Sequence, residues 1–267
     1  MTIFIRIILP YLLFCSYAMA LYSVGSRNIS LLETNGAQFQ MTVYYPALTN
    51  GEKATPITNA GAFPTIIFIH GLMVDRTSFS LLAGGFVQNG YVFFVPDLPG
   101  GALPAKSECT ALVDRLVQAI VGRSFQGDVA ILNNICDANQ LVAMGHSWGG
   151  GLAMELGRTN PNFKVVLALA PAQISDISVL NSSQTPIIIL TGSMDAIVPN
   201  SIVRAMYENL TTPKVLLTLK DGSHNGFLDH PSNLEETLVS GKRLDNITQI
   251  NLTVQNSIAY IRRYLTY

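Results

Sequence analysis

The sequence predicts an α/β fold: a doubly wound, mostly parallel sheet of about eight strands with helices on both faces. Three observations lead there. Short apolar runs recur along the chain with longer amphipathic segments between them. Most of these runs lack polar alternation, as strands covered on both faces by helices do. No Pro/Ser linker, internal repeat or charge block divides the chain, so residues 21–267 are expected to form a single domain.

The elements follow in order. Residues 38–45 alternate apolar and polar, with Phe39, Met41, Val43 and Tyr45 on one side, as in a half-exposed antiparallel strand. Continuous apolar runs at 65–70, 91–95, 141–144, 165–169, 187–190 and 215–219 read as buried parallel strands. Helical segments are expected at 77–89, 108–123, 148–158, 201–209 and 253–264. Only a short stretch separates runs 165–169 and 187–190, too short for a large cap domain, so the site should be open.

Composition narrows the classes of function. The 267 residues are 49% hydrophobic and only 12% charged, which excludes a disordered chain. A formal net charge of -1 offers no footprint for nucleic acid or an anionic surface. Three cysteines are too few for a disulfide-dense scaffold or a multi-cysteine zinc module.

The first twenty residues read as a signal peptide. Arg6 precedes the apolar stretch 7–14, and Ala18-Met19-Ala20 supplies a small-x-small cleavage site. The alternative is an uncleaved anchor, but the stretch is short for a span and Pro10 interrupts it. A secreted protein without a stable membrane span is the expectation. Five Asn-x-Ser/Thr sequons, at Asn28, Asn181, Asn209, Asn246 and Asn251, would suit glycosylation. Cys15 leaves with the leader, so Cys109 and Cys136 remain as a possible disulfide closing a loop of about 28 residues. Two separate thiols are the alternative.

The chemistry begins at Gly145-His146-Ser147-Trp148-Gly149, directly after the run 141–144 and at the start of a helical stretch. This is G-x-S-x-G between strand and helix, where small neighbours permit a tight turn that lifts the serine clear of the sheet. A serine hydroxyl needs a base, and the base needs an acid to orient it. With the nucleophile on such an elbow the partners follow as Ser, acid, His. Asp195 stands just past the run 187–190 and His224 just past 215–219, both at C-terminal strand ends where open α/β sheets bind ligands. Asp176 and His230 are weaker alternatives. His146 reads as a packing or locally bonded residue, and Asp221 as a turn former. Two backbone amides should receive the developing oxyanion: Trp148, after the nucleophile, and Leu72, in the loop His70-Gly71-Leu72. His70 would order that loop rather than react.

These motifs resemble the serine α/β-hydrolases of the dienelactone-hydrolase-like branch, which includes bacterial cutinases, polyester hydrolases, chlorophyllases and platelet-activating-factor acetylhydrolases. The matching stretches are MTVYYPA, FPTIIFIHGL, RTSFSLLAGGFVQNGYVFFVPD, GHSWGGGLAMEL, VVLALAP, TPIIILTGSMDAIVP and GSHNGFLD, over about residues 28–265. The resemblance implies an α/β-hydrolase fold and ester cleavage by Ser147, His224 and Asp195 through an acyl-enzyme. It calls for no metal and no organic cofactor. Leu72 stands where polyester hydrolases carry an aromatic, which argues against polymer activity. Ser147 replaces the cysteine of true dienelactone hydrolases, which argues against that reaction. Small to medium acyl esters are the expected substrates. A silent binding protein on the same fold, or an amidase or peptidase with the same triad, are the other readings.

Overall fold

The computed structural model describes residues 21–32, 38–175, 180, 184–231, 238 and 241–265. The expected leader at residues 1–20, Asn181 and Asp176 lie outside the described residues. Among the described residues nine strands form one sheet: β1 (Ser23–Leu32), β2 (Gln38–Ala47), β3 (Gly51–Glu52), β4 (Phe63–Ile69), β5 (Val92–Pro96), β6 (Cys136–His146), β7 (Phe163–Leu169), β8 (Ile187–Gly192) and β9 (Lys214–Leu219). Their spatial order is β3-β1-β2-β5-β4-β6-β7-β8-β9. From β5 to β9 every pairing is parallel, whereas β2 runs antiparallel to both β1 and β5.

Side chains of a buried strand alternate between the two faces, and β4 shows how both are covered. Ile67 and Ile69 join a cluster with Leu112, Leu116 and Leu152. Ile66 and Phe68 join another with Leu82, Phe86 and Val254. The first cluster contains core residues of α2 (Lys106–Val121), α3 (Leu132–Ile135), α4 (Trp148–Thr159) and α5 (Asn200–Asn209). The second contains those of α1 (Ser80–Gln88) and α6 (Asn246–Ile261). Helices therefore lie on both faces, and parallel strands bring every connecting loop that carries chemistry to one edge.

Three departures from the sequence reading have physical causes. Strand β1 shows little apolar alternation because it lies between β2 and the two-residue β3, near the sheet edge, with Asn28 and Ser30 exposed. Helix α6 begins seven residues before the expected start, since the Asp245 carboxylate accepts the Thr248 amide at 2.9 Å and caps it. The third concerns the cysteines: Cys109 and Cys136 are free thiols, and no disulfide joins them. Cys109 lies in the first turns of α2, which starts from the C-terminal edge of the sheet, and Cys136 opens β6 at the opposite edge. A disulfide needs Cα atoms within about 7 Å, which residues at opposite ends of these two elements do not provide. Both side chains are core residues, and burial pushes each thiol up to about 12.

Of the described sequons, Asn28, Asn209 and Asn251 are exposed. Asn246 differs, because its Nδ2 donates twice, to the carbonyls of Leu228 and Asp229 at 3.2 and 2.8 Å, whereas that of Asn209 donates once, to Ala205 O at 2.9 Å. A glycan on Asn246 would break its double tie. Between β7 and β8 the connection occupies only residues 170–186.

Candidate active site

Strand β6 ends at His146 and α4 begins at Trp148, leaving Ser147 alone to reverse the chain. It does so at φ 57° and ψ −123°, a conformation costly for a residue with a Cβ. Close packing holds the strain in place. A Cβ on Gly145 would lie 2.2 Å from the Gly149 carbonyl oxygen, and one on Gly149 would lie 2.1 Å from that of Ile69. Only glycine lets strand and helix approach this closely, and the Ser147 amide completes the turn by donating to Leu169 O at 2.8 Å.

The loops after β8 and β9 bring Asp195 and His224 together. Nδ1 of His224 lies 2.9 Å from Asp195 Oδ2, with the two side chains 4% and 0% exposed. A carboxylate accepts, so Nδ1 carries the proton and donates, which leaves Nε2 as the basic ring nitrogen. Asp195 is itself fixed, because its Oδ1 accepts the amides of Ile197 and Val198 at 3.0 and 2.7 Å. Ser147 and His224 line one cleft of about 1020 Å³, together with His146, Leu72, Met73 and Leu98.

The loop after β4 supplies the opposite wall. Leu72 lines the cleft, and Trp148 opens α4 with its side chain packed against the core beneath, not in the cleft wall. Among the described residues neither amide donates to a backbone carbonyl. Such donors at a helix start and a tight turn suit an anion. His70 holds this loop through both ring nitrogens. The Leu98 amide donates to Nε2 at 3.3 Å, so the ring proton sits on Nδ1 and is given to Gly71 O at 2.9 Å. Burial pushes His70 below the usual histidine value, which keeps the ring in this bridging neutral form.

Other expected residues fall elsewhere. His230 lines the cleft but takes no part in the Asp195–His224 pair. Asp221 adopts φ 59°, as a turn former does. His146 is packed among rings as expected, but its bond is not local: Nε2 lies 2.9 Å from the carbonyl oxygen of His224, 78 residues on.

Three features escape a reading of the sequence. Gln249 of α6 is fully buried and grips the loop of the candidate base: Oε1 accepts the Ser223 amide at 3.0 Å and Nε2 donates to Ser223 O at 2.8 Å. Asp229 caps α1 from across the chain, accepting from the Ser80 amide and hydroxyl at 2.7 and 2.6 Å and from the Leu81 amide at 3.0 Å. Arg76 and Asp97 form an ion pair in the cleft wall. No local pattern marks these residues, because each partner is distant in sequence.

A mostly parallel sheet, a strained serine at a strand–helix elbow and a buried His–Asp pair at the same edge define the α/β-hydrolase fold. Within it, the family model described as the dienelactone hydrolase family matches residues 53–233, and the chain belongs to that family. A bis(hydroxyethyl) terephthalate hydrolase of Streptomyces coelicolor is 27% identical over 206 residues, covering 76% of this chain and 60% of that protein. A cutinase of Thermobifida alba is 25% identical over 210 residues, covering 76% of this chain and 63% of its own length. The match thus spans less than two thirds of either relative. Among solved structures, a ferulic acid esterase from Streptomyces cinnamoneus superposes with a TM-score of 0.69 at 16% identity, over 91% of this chain and 90% of that one.

Proposed function

We propose that the protein is a secreted serine hydrolase that cleaves carboxylic esters through an acyl-enzyme. The observation that carries this reading is the buried Asp195–His224 pair in a cleft that also presents Ser147 on its elbow. Ser147 Oγ attacks the ester carbonyl while His224 takes its proton at Nε2. Asp195 holds the imidazole tautomer and stabilises the imidazolium that forms. The Leu72 and Trp148 amides receive the oxyanion, each such donor being worth roughly 3–4 kcal/mol in rate. His224 then protonates the leaving alcohol, and the same base activates the water that releases the acid.

Two relatives named for hydrolysis of a terephthalate ester and of cutin support an ester as the scissile group. The cleft suits a small to medium acyl ester. Export rests on the leader-like residues 1–20, and glycosylation is expected at exposed Asn28, Asn209 and Asn251 rather than at Asn246.

The test compares the purified protein with Ser147→Ala on nitrophenyl esters of increasing acyl length. Turnover by the unaltered enzyme, with a loss of at least about 10⁴-fold in the variant, is expected. Folded protein that is equally inert in both forms on every ester would overturn the reading.

A further inference from the structure

His146 has surroundings that the proposed reaction leaves unused. It directly precedes Ser147, is 2% exposed, and reaches the same cleft. Its Nε2 lies 2.9 Å from the carbonyl oxygen of His224, and because a carbonyl only accepts, Nε2 must carry the ring proton and donate it. Nδ1 is then a bare acceptor, buried and without a hydrogen-bond partner among the described residues. It faces the oxyanion loop: a Cβ on Gly71 would lie 3.3 Å from Nδ1 and 3.1 Å from Ser147 Cβ. The ring centroid stands 4.7 Å from that of His224, with Phe79 and Phe227 at 5.9 and 5.7 Å. Burial, with His224 and His70 nearby, pushes His146 well below the usual histidine value, so one neutral tautomer persists.

One imidazole therefore meets all three loops of the site. It is continuous with the elbow, bonded to the main chain of the base, and packed on Gly71. We propose that His146 is a positioning residue that sets where His224 stands relative to Ser147 through the Nε2–H bond to the His224 carbonyl. The kinetic part of this proposal rests on the ester-hydrolase reading; the structural part does not. Gln249 holds the same loop one residue earlier, at Ser223. Without the His146 bond the loop stays anchored there, but His224 is free to shift about that anchor. A misplacement of about 1 Å at a reacting group costs about 10²-fold in rate.

The experiment uses two substitutions. His146→Phe keeps a ring of similar bulk and removes the donor. His146→Gln offers an amide N–H near the place of Nε2. The expected result is a kcat lower by about 10–100-fold in His146→Phe, with KM within about twofold, and recovery to within about fivefold in His146→Gln. A residue that served packing alone would lower the melting temperature while leaving kcat per folded molecule unchanged. A second readout needs no turnover: the low-field Nδ1–H proton of His224, observed by NMR. It should be retained in His146→Gln and shifted or broadened in His146→Phe. His146→Asn, whose shorter amide falls short of the carbonyl, carries the same expectation as His146→Phe and replaces it if that variant does not fold. A wild-type kcat with an unmoved His224 signal in the donor-less variant overturns the proposal. Absence of ester turnover in the unaltered protein would instead count against the hydrolase reading, and the proton signal would still decide the positioning role.

Discussion

The two walls of the cleft are built to different standards. On the side of β8 and β9, Asp195, His224 and Gln249 are buried, and their polar atoms bond to one another or to main chain. On the side of β4 and β5, Leu72 and Met73 are 38% and 76% exposed, and the Arg76–Asp97 pair is partly open to solvent. His70 is the buried exception, tying the two loops on that side together. Proton transfer needs side chains in fixed geometry and a low dielectric, whereas a wall that offers a backbone amide and apolar surface leaves its side chains freer to change. The difference locates the proposed proton transfer on one wall and leaves the other to the Leu72 amide of the proposed oxyanion hole and to selectivity.

The harshest way to break this contrast is Asp195→Asn. The amide still fills the volume, but its NH₂ cannot accept the Nδ1 proton, so the tautomer that leaves Nε2 basic is lost. A fall in kcat of about 10⁴-fold is expected in steady-state ester hydrolysis. Retention of activity within tenfold would show that something other than Asp195 orients the base.

The next test compares the walls by stability. Gln249→Leu strands the Ser223 amide and carbonyl in the core, and leaving a buried polar group unpaired costs about 1–3 kcal/mol each. A loss of about 2–6 kcal/mol in urea unfolding is expected. Arg76→Met breaks an ion pair whose side chains are 24% and 37% exposed, and should cost no more than about 1 kcal/mol. Equal losses would erase the distinction between the walls.

Acid offers a third probe, with a sign fixed by His70 and His146. Both are held below the ordinary histidine value in the folded protein. Below about pH 6.5 the unfolded chain takes up protons that the folded one refuses, so stability is full above that pH and falls as the pH drops toward the depressed folded values. Each such histidine contributes a slope of at most about 1.4 kcal/mol per pH unit. Melting temperatures between pH 7 and pH 5 should decline, and His146→Gln should flatten the decline. An unaltered slope in that variant would show that His146 is protonated in the fold.

How much of this was legible in the sequence follows the range of the interactions. The GHSWG turn and the candidate acid and base at strand ends are local patterns, so Ser147, Asp195 and His224 could be singled out from the sequence, and the structure brings Asp195 and His224 into contact. The parallel strands announced themselves as apolar runs for the same reason. The Gln249 grip on Ser223, 26 residues away, and the Asp229 cap on Ser80, 149 residues away, depend on packing that no local spacing records. The cysteine expectation failed for a related reason: sequence separation gave the loop length, but topology put the two residues at opposite edges of the sheet.

The smallest effect should come from the open wall. Met73 is 76% exposed and sits at φ 63°, with its amide donating to Ala102 O at 3.3 Å. Its side chain buries little, and alanine suffers the same backbone penalty at positive φ, so Met73→Ala should change stability by no more than about 0.5 kcal/mol. The bond to Ala102 uses main chain only and survives the substitution. What changes is the apolar surface offered at the mouth of the cleft. Losing a partial contact of about 1 kcal/mol should raise KM about 2–5-fold for long acyl esters, leave short ones alone, and spare kcat. A fall in kcat with every ester would mean that Met73 supports the oxyanion loop, and that side chains of the open wall, not the Leu72 amide alone, bear on the proposed chemistry.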